Sequence, residues 1–323
     1  MPFQVLYLSR SDVESAGLGM AEIIGALEKM FLEKAAGRTE MPPKPGIHPA
    51  ADAFIHAMPA FIPALGAAGV KWVSGYPANP GRGLPYISGL IVLNDAETGI
   101  PKAVMDCTWI TAQRTGAATA VAAKRLARPD SRSLGILGCG VQGRSNLEAL
   151  ATVFRLAEVK AFDADPAVAA RFAREVADRF GLTATAVASA EEAVRGSDLV
   201  VTAGPILKVP HATIKPGWLG AGAFASLVDY DSYWSREALG EADKFTTDDR
   251  AQLEYAKTQG YFRDIPPVHA DLAELVAGTK PGRERKSERT IACNLGLALD
   301  DMATAPLVLE RAAARGLGLR LDL

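Results

Sequence analysis

The chain is poor in several features that would each have decided its class. Its 323 residues hold three cysteines, Cys107, Cys139 and Cys293, far apart and without a C-x-x-C pair. That excludes a disulfide framework and a structural zinc site and fits a reduced cytoplasmic protein. It has no excess of one charge: 35 Lys+Arg against 37 Asp+Glu give −2, so neither nucleic acid nor an anionic membrane is an expected partner. Long hydrophobic runs are missing as well, since no stretch reaches the roughly 18 apolar residues of a spanning helix. The start, Met1-Pro2-Phe3-Gln4-Val5-Leu6-Tyr7-Leu8, lacks the basic region of a signal peptide and reads as a short strand. What is there, 49% hydrophobic and 22% charged residues, is the balance of a globular enzyme of about two domains.

The apolar periodicity changes along the chain. Residues 1–127 mix strands (Gly69 to Val73, Ile87 to Leu93) with a helix over Met20 to Lys34, whose Ile23, Ile24, Leu27, Met30 and Phe31 share one face. A small-residue helix from Thr111 ends at the breaker Arg128-Pro129-Asp130. Residues 128–296 then alternate short apolar strands (Leu134 to Leu137, Val159 to Phe162, Leu199 to Thr202, Trp218 to Phe224) with helices starting near Val141, Pro166 and Ala190. This rhythm predicts a doubly wound parallel sheet. The last helix, expected over Leu297 to Ala313, suits packing of residues 297–323 back onto the first domain.

Gly138, Gly140 and Gly143 form G-x-G-x-x-G between a predicted strand and a predicted helix. Gly138 allows the turn, Gly140 lets backbone approach a pyrophosphate, and Gly143 lets helix and strand pack closely, with the helix start facing the anion. Asp163, at the end of the second strand, can take the ribose hydroxyls of NAD and would repel the 2′-phosphate of NADP. NAD(H) is therefore the expected cofactor. Arg144 stands beside the turn, within reach of phosphate.

These motifs occur with others: Gly69-Val-Lys71, the loop Tyr76-Pro77 to Gly83-Leu84-Pro85, Asn94-Asp95 with Thr98-Gly99 and Pro101, Thr111-Ala112 with Arg114-Thr115-Gly116-Ala117, and Gly296-Leu-Ala-Leu-Asp-Asp301. Together they resemble the ornithine cyclodeaminase/μ-crystallin family over nearly the whole chain. The resemblance implies a Rossmann NAD-binding domain plus an α+β substrate and dimerisation domain completed by the C-terminal helix, hence a homodimer. It also implies that Lys71 and Arg114 hold the substrate carboxylate beside the nicotinamide, with Lys71 matching a proposed acid/base. On the same grounds Val141, Gln142, Asp163, Thr202 and the strand end Ala221, Gly222, Ala223 and Phe224 line the cofactor, Asn294 lies against the nicotinamide, and Lys44 takes a second carboxylate-binding position. Three departures change the proton-handling end: Lys44 replaces an arginine, Tyr86 a threonine, and Leu227 the cyclodeaminase's catalytic aspartate. Asp229 is the candidate replacement for that acid, with Asp231 beside it, although both also suit a turn or a helix cap before Ser235. Met41-Pro-Pro-Lys-Pro-Gly-Ile-His48 and Asp229-Tyr-Asp-Ser-Tyr-Trp234 resemble the branch that reduces iminosuccinate to aspartate.

Reduction of an α-imino acid needs a carboxylate anchor, a hydride donor and a proton for nitrogen. Arg114 suits the anchor through its planar fork, and a lysine depressed by burial and by Arg114 suits the proton. A dicarboxylate needs further positive charge, for which Lys44 and His48 are candidates, while His56 and Arg82 read as solvated loop residues. The two histidines lack metal-ligand spacing. The competing expectations are a cyclodeaminase recycling NAD, an alanine-dehydrogenase-like enzyme, and a cofactor-binding protein without turnover.

Overall fold

A computed structural model describes residues 3–323; Met1 and Pro2 of the expected first strand lie outside the described residues. In chain order the elements are β1 (Gln4–Leu8), α1 (Arg10–Ser15), α2 (Met20–Ala35), β2 (Gly46–Ile47), β3 (Phe54–Ile62), β4 (Ala67–Gly75), β5 (Ile87–Asn94), β6 (Pro101–Asp106) and α3 (Thr108–Leu126). There follow β7 (Ser133–Leu137), α4 (Val141–Val153), β8 (Glu158–Phe162), α5 (Pro166–Phe180), β9 (Thr183–Ala186), α6 (Ala190–Val194), β10 (Leu199–Thr202) and β11 (Phe224–Leu227). The chain continues with α7 (Arg236–Leu239), β12 (Lys244–Thr247), α8 (Arg250–Thr258), β13 (Val268–Asp271), α9 (Leu272–Ala277), β14 (Thr290–Cys293), α10 (Ala298–Ala314) and β15 (Leu319–Asp322). Two compact units result, Met1–Arg114 with Gly296–Leu323, and Thr115–Leu295.

The first unit is built on a mixed seven-stranded sheet, β15-β1-β6-β5-β4-β3-β2. Its inner face carries Met58, Ala60, Lys71, Val73, Ile91, Leu93, Ala103 and Met105, and α10 lies on that face with α2 packed against α10. The apolar stripe of α2, Ile23, Ile24, Leu27, Met30 and Phe31, is buried. Strand β3 was hidden in the sequence by Pro59. The N–H groups of Ala57 and Phe61 point to the edge side, toward the carbonyls of Pro45 and Glu40. Pro59 lies between them in the same alternation, so its missing N–H breaks no bond of the β3–β4 ladder.

The second unit holds an eight-stranded, all-parallel sheet, β13-β12-β14-β11-β10-β7-β8-β9. Strands β10, β11 and β14 are buried along their whole length, as befits strands covered on both faces. From β7 the chain runs outward through β8 and β9, then returns to β10 on the other side. The reversal between β7 and β10 is where doubly wound sheets bind ligands, beyond the strand C-termini. One expected strand is misplaced in sequence: residues 218–223 form turns, with the N–H of Ala223 bonded to the Gly220 carbonyl and Gly222 at φ +81°, and β11 begins only at Phe224.

Candidate active site

In the second unit the glycine turn has the form its spacing predicts. Gly138 adopts φ +96°, and a side chain on it would strike the carbonyl of Ala203; one on Gly143 would strike the carbonyl of Gly138. Among the described residues nothing beyond its own neighbours in the chain lies within 4 Å of where a side chain on Gly140 would begin, and α4 starts there with no side-chain cap. Uncapped N–H groups at a helix start facing open space suit a pyrophosphate. Asp163 fixes the edge of the turn, its carboxylate accepting from the N–H of Cys139 (2.8 Å) and of Asp165 (3.0 Å). Each oxygen keeps lone-pair capacity for a ribose hydroxyl. Arg144 is turned onto the turn itself: its guanidinium donates to the carbonyls of Cys139 and Gly140 and pairs with Glu175 at 2.7 Å. Val141 and Gln142 open α4, with Val141 exposed. At the C-terminal end of β14, Asn294 is 4% exposed and its Nδ2 has no hydrogen-bond partner among the described residues. An amide donor left this way is costly unless a ligand oxygen takes it, so the residues at this end fit a dinucleotide.

Ala221, Gly222, Ala223 and Phe224 do not stand at this end of the sheet. Because β11 runs from Phe224 to Leu227, these four residues precede or open the strand, where Phe224 N–H meets the carbonyl of Asp198. They lie at the edge opposite Gly138, Thr202 and Asn294. The residues at the C-terminal end are Leu227 and Val228. The expectation failed because a Gly-rich turn was read as the strand.

Thr202 closes β10, and its hydroxyl donates to Asp229 at 2.6 Å while accepting from the Trp234 indole N–H at 3.3 Å. Asp229 also accepts from Gly204 N–H at 2.9 Å. The buried Asp229 carboxylate thus holds the turn after β10, the one that abuts Gly138. Burial pushes its pKa up to about 7 against those hydrogen bonds, and burial also raises that of Asp231. Neither caps α7: Ser235 does, accepting from Ala238 N–H.

The first unit gathers the anion-binding candidates on its inner sheet face. Lys71, opposite Met58 and Ile91 in register, is fully buried. Its ammonium pairs with Asp301 at 2.6 Å. Arg114 reaches Asp301 at 3.3 Å and Asp300 at 3.4 Å. Both aspartates sit in the first turn of α10, where Asp300 also accepts from Leu297 N–H. Burial and Arg114 lower the Lys71 pKa, and Asp301 opposes them. Gly296, at φ +77°, leaves room that the Arg114 guanidinium fills, and Lys44 donates to the Gly296 carbonyl at 3.3 Å. Lys44, Lys71 and Arg114 therefore belong to one cluster. Three members were not among the predicted site residues: Asp300 and Asp301 of the Gly296 to Asp301 motif, and His56, read as a loop residue. His56 lies on β3, facing inward across from Val73. Arg82 is exposed on a turn.

Residues 4–316 match the model of the Ornithine cyclodeaminase/mu-crystallin family. The chain belongs to this family. It is 38% identical over 327 residues to the alanine dehydrogenase of Archaeoglobus fulgidus, with 98% of each chain covered. The Δ1-pyrroline-2-carboxylate reductase of Thermococcus litoralis, solved with NADH and L-proline, shares 36% identity and a TM-score of 0.89 over 98% of this chain and 99% of that one. An archaeal alanine dehydrogenase dimer with bound NAD gives 37% and 0.88 over 99% and 100%. The iminosuccinate reductase of Paracoccus denitrificans, at 23% identity and TM-score 0.81 over 99% and 100%, shares the fold.

Two expectations follow. With Asp163 at the turn, kcat/KM should favour NADH over NADPH by at least about a hundredfold, and Asp163→Ser should narrow that ratio at least tenfold; steady-state rates with both cofactors check it. Asp229 ionises near pH 3.8 when unfolded and near 7 when folded, so the folded state binds more protons between those values and its stability rises as pH falls from 7 toward 4. Relative to Asp229→Asn, the wild type should gain melting temperature as pH is lowered from 8 to 5; a gap constant with pH contradicts the assignment.

Proposed function

We propose that the chain reduces a small α-imino dicarboxylate, iminosuccinate, to the L-amino acid. It is an NAD-dependent oxidoreductase acting on C=N and CH–NH2 groups. The observation that carries the finer reading is the basic cluster on the inner sheet face. Lys71 and Arg114 are balanced by Asp301 and Asp300, while Lys44 adds a cation beyond what one carboxylate requires, with His48 and His56 beside it.

Arg114 anchors the α-carboxylate. Its 3.3–3.4 Å contacts to Asp300 and Asp301 are long for charge-assisted bonds and yield readily to a bidentate partner. Lys71 hands a proton to the imine nitrogen and recovers it in the reverse direction; its depressed pKa brings that exchange closer to neutral pH, and Asp301 holds the ammonium in place. Bound NADH supplies the hydride for the imine carbon. Asp229 engages Thr202 and Gly204 through both carboxylate oxygens, so its part is to set the turn against Gly138.

The outer face of the first unit's sheet offers a surface for a second copy. Trp72 (51% exposed) pairs in register with Leu90 (41% exposed), and Val70, Val92, Val104 and Tyr7 extend the apolar strip. The alanine dehydrogenase solved as a dimer supports a homodimer here. The three buried thiols suit the reducing cytoplasm.

The names of the closer relatives favour monocarboxylate products, so the test compares substrates directly. NADH oxidation is followed at pH 7.5 with oxaloacetate plus ammonium, pyruvate plus ammonium, and Δ1-pyrroline-2-carboxylate. The highest kcat/KM is expected with oxaloacetate plus ammonium, and Arg114→Ala should lower it at least about a hundredfold with the NADH dissociation constant changed less than threefold. Preference for pyruvate or the cyclic imine would overturn the dicarboxylate reading.

A further inference from the structure

His56 stands where a loop histidine was expected, and its surroundings are built around it. It occupies the inner face of β3, one inward position along from Met58, which is opposite Lys71. On β2, Gly46 lies across from it, and any side chain on Gly46 would collide with the imidazole. The Phe54 ring stacks on the imidazole, 4.4 Å between centroids and 17° from parallel, and the His48 ring stands edge-on at 6.2 Å. The imidazole is thus seated by aromatic packing and a missing side chain.

Three groups act on it electrostatically. Lys44 precedes β2, His48 follows it, and Lys71 comes from β4. Asp301, on α10 over the same face, is closed on Lys71, and Arg114 is closed on Asp300 and Asp301. Burial, and after it these basic neighbours, push the His56 pKa down to about 3.

We propose that His56 and Lys44 together receive the second carboxylate of a dianionic substrate, and that His56 takes up a proton as that carboxylate binds. The inference rests on the dicarboxylate reading above. A carboxylate against the imidazole reverses the sign of the local field and favours the imidazolium. The proton comes from solvent, and the bound complex gains one N–H donor and one positive charge. A monocarboxylate leaves His56 neutral. Proton-coupled binding makes dianion affinity fall about tenfold per pH unit between the pKa of free and of bound His56, and level off above the latter. The device discriminates because a monocarboxylate gains neither the imidazolium's extra N–H donor nor its charge.

The NAD+-loaded enzyme is titrated calorimetrically at pH 7 with succinate and with propionate, each in phosphate and in Tris, so that proton uptake is read from the buffer dependence of the heat. Wild type should take up about one more proton with succinate than with propionate. His56→Gln should abolish the difference and His48→Gln keep it. The wild-type count decides whether or not a variant folds. Equal uptake for the two anions overturns the role of His56 while the dicarboxylate reading stands, provided oxaloacetate plus ammonium is still reduced. An excess lost in His48→Gln and kept in His56→Gln also overturns it. Absence of oxaloacetate-dependent NADH oxidation overturns the dicarboxylate reading itself.

Discussion

An ammonium and a guanidinium cannot be buried side by side without carboxylates to match them, and that requirement organises the first unit. Lys71 and Arg114 are nearly solvent-free, and both counter-charges come from one helical turn, Asp300 and Asp301. Removing either aspartate would strand a buried cation, an error far larger than a lost surface ion pair. The chain therefore brings its last helix back onto the sheet built by its first hundred residues, and this unit is composed of two distant stretches of sequence. The same pairing balances Lys71 and Arg114, so an incoming carboxylate competes with carboxylates already in place.

The second unit solves a different problem, the close approach of backbone to backbone at the C-terminal ends of β7 and β10. Gly138 touches Ala203, Asp163 holds Cys139, and Asp229 holds Gly204. Two carboxylates thus fix two adjacent turns through main-chain N–H groups. Arg144 works on the carbonyl side of the same turn. The result is an open, uncapped helix start whose shape is set by hydrogen bonds rather than by bulk.

Much of this was legible in the sequence. Helix α2, strands β7, β8 and β10 and the starts of α4, α5 and α6 follow from periodicity and punctuation, because local patterning and tertiary burial agree there. The glycine turn and the Lys71–Arg114 pair were readable from linked motifs. Three things were hidden. Pro59 disguised β3, because the sheet edge that excuses a proline is a tertiary fact. The turn at 218–223 passed for a strand, which put Ala221 to Phe224 at the wrong end of the sheet. Asp300 and Asp301 carry a helix-start signature whatever they pair with, so their partners over 180 residues away were invisible to local reasoning. His56 was misjudged for the first of these reasons: without β3 there was no inner face for it to occupy.

Lys71 is the residue on which the proposed reduction depends most directly. Replacing it by methionine keeps the side-chain length and removes the ammonium. Stopped-flow single turnovers with NADH, oxaloacetate and ammonium measure the reduction step itself, while NADH binding is followed in parallel by fluorescence. Lys71→Met is expected to slow the reduction step by at least about a hundredfold and to leave the NADH dissociation constant within threefold. A reduction rate within a factor of a few of wild type would contradict it.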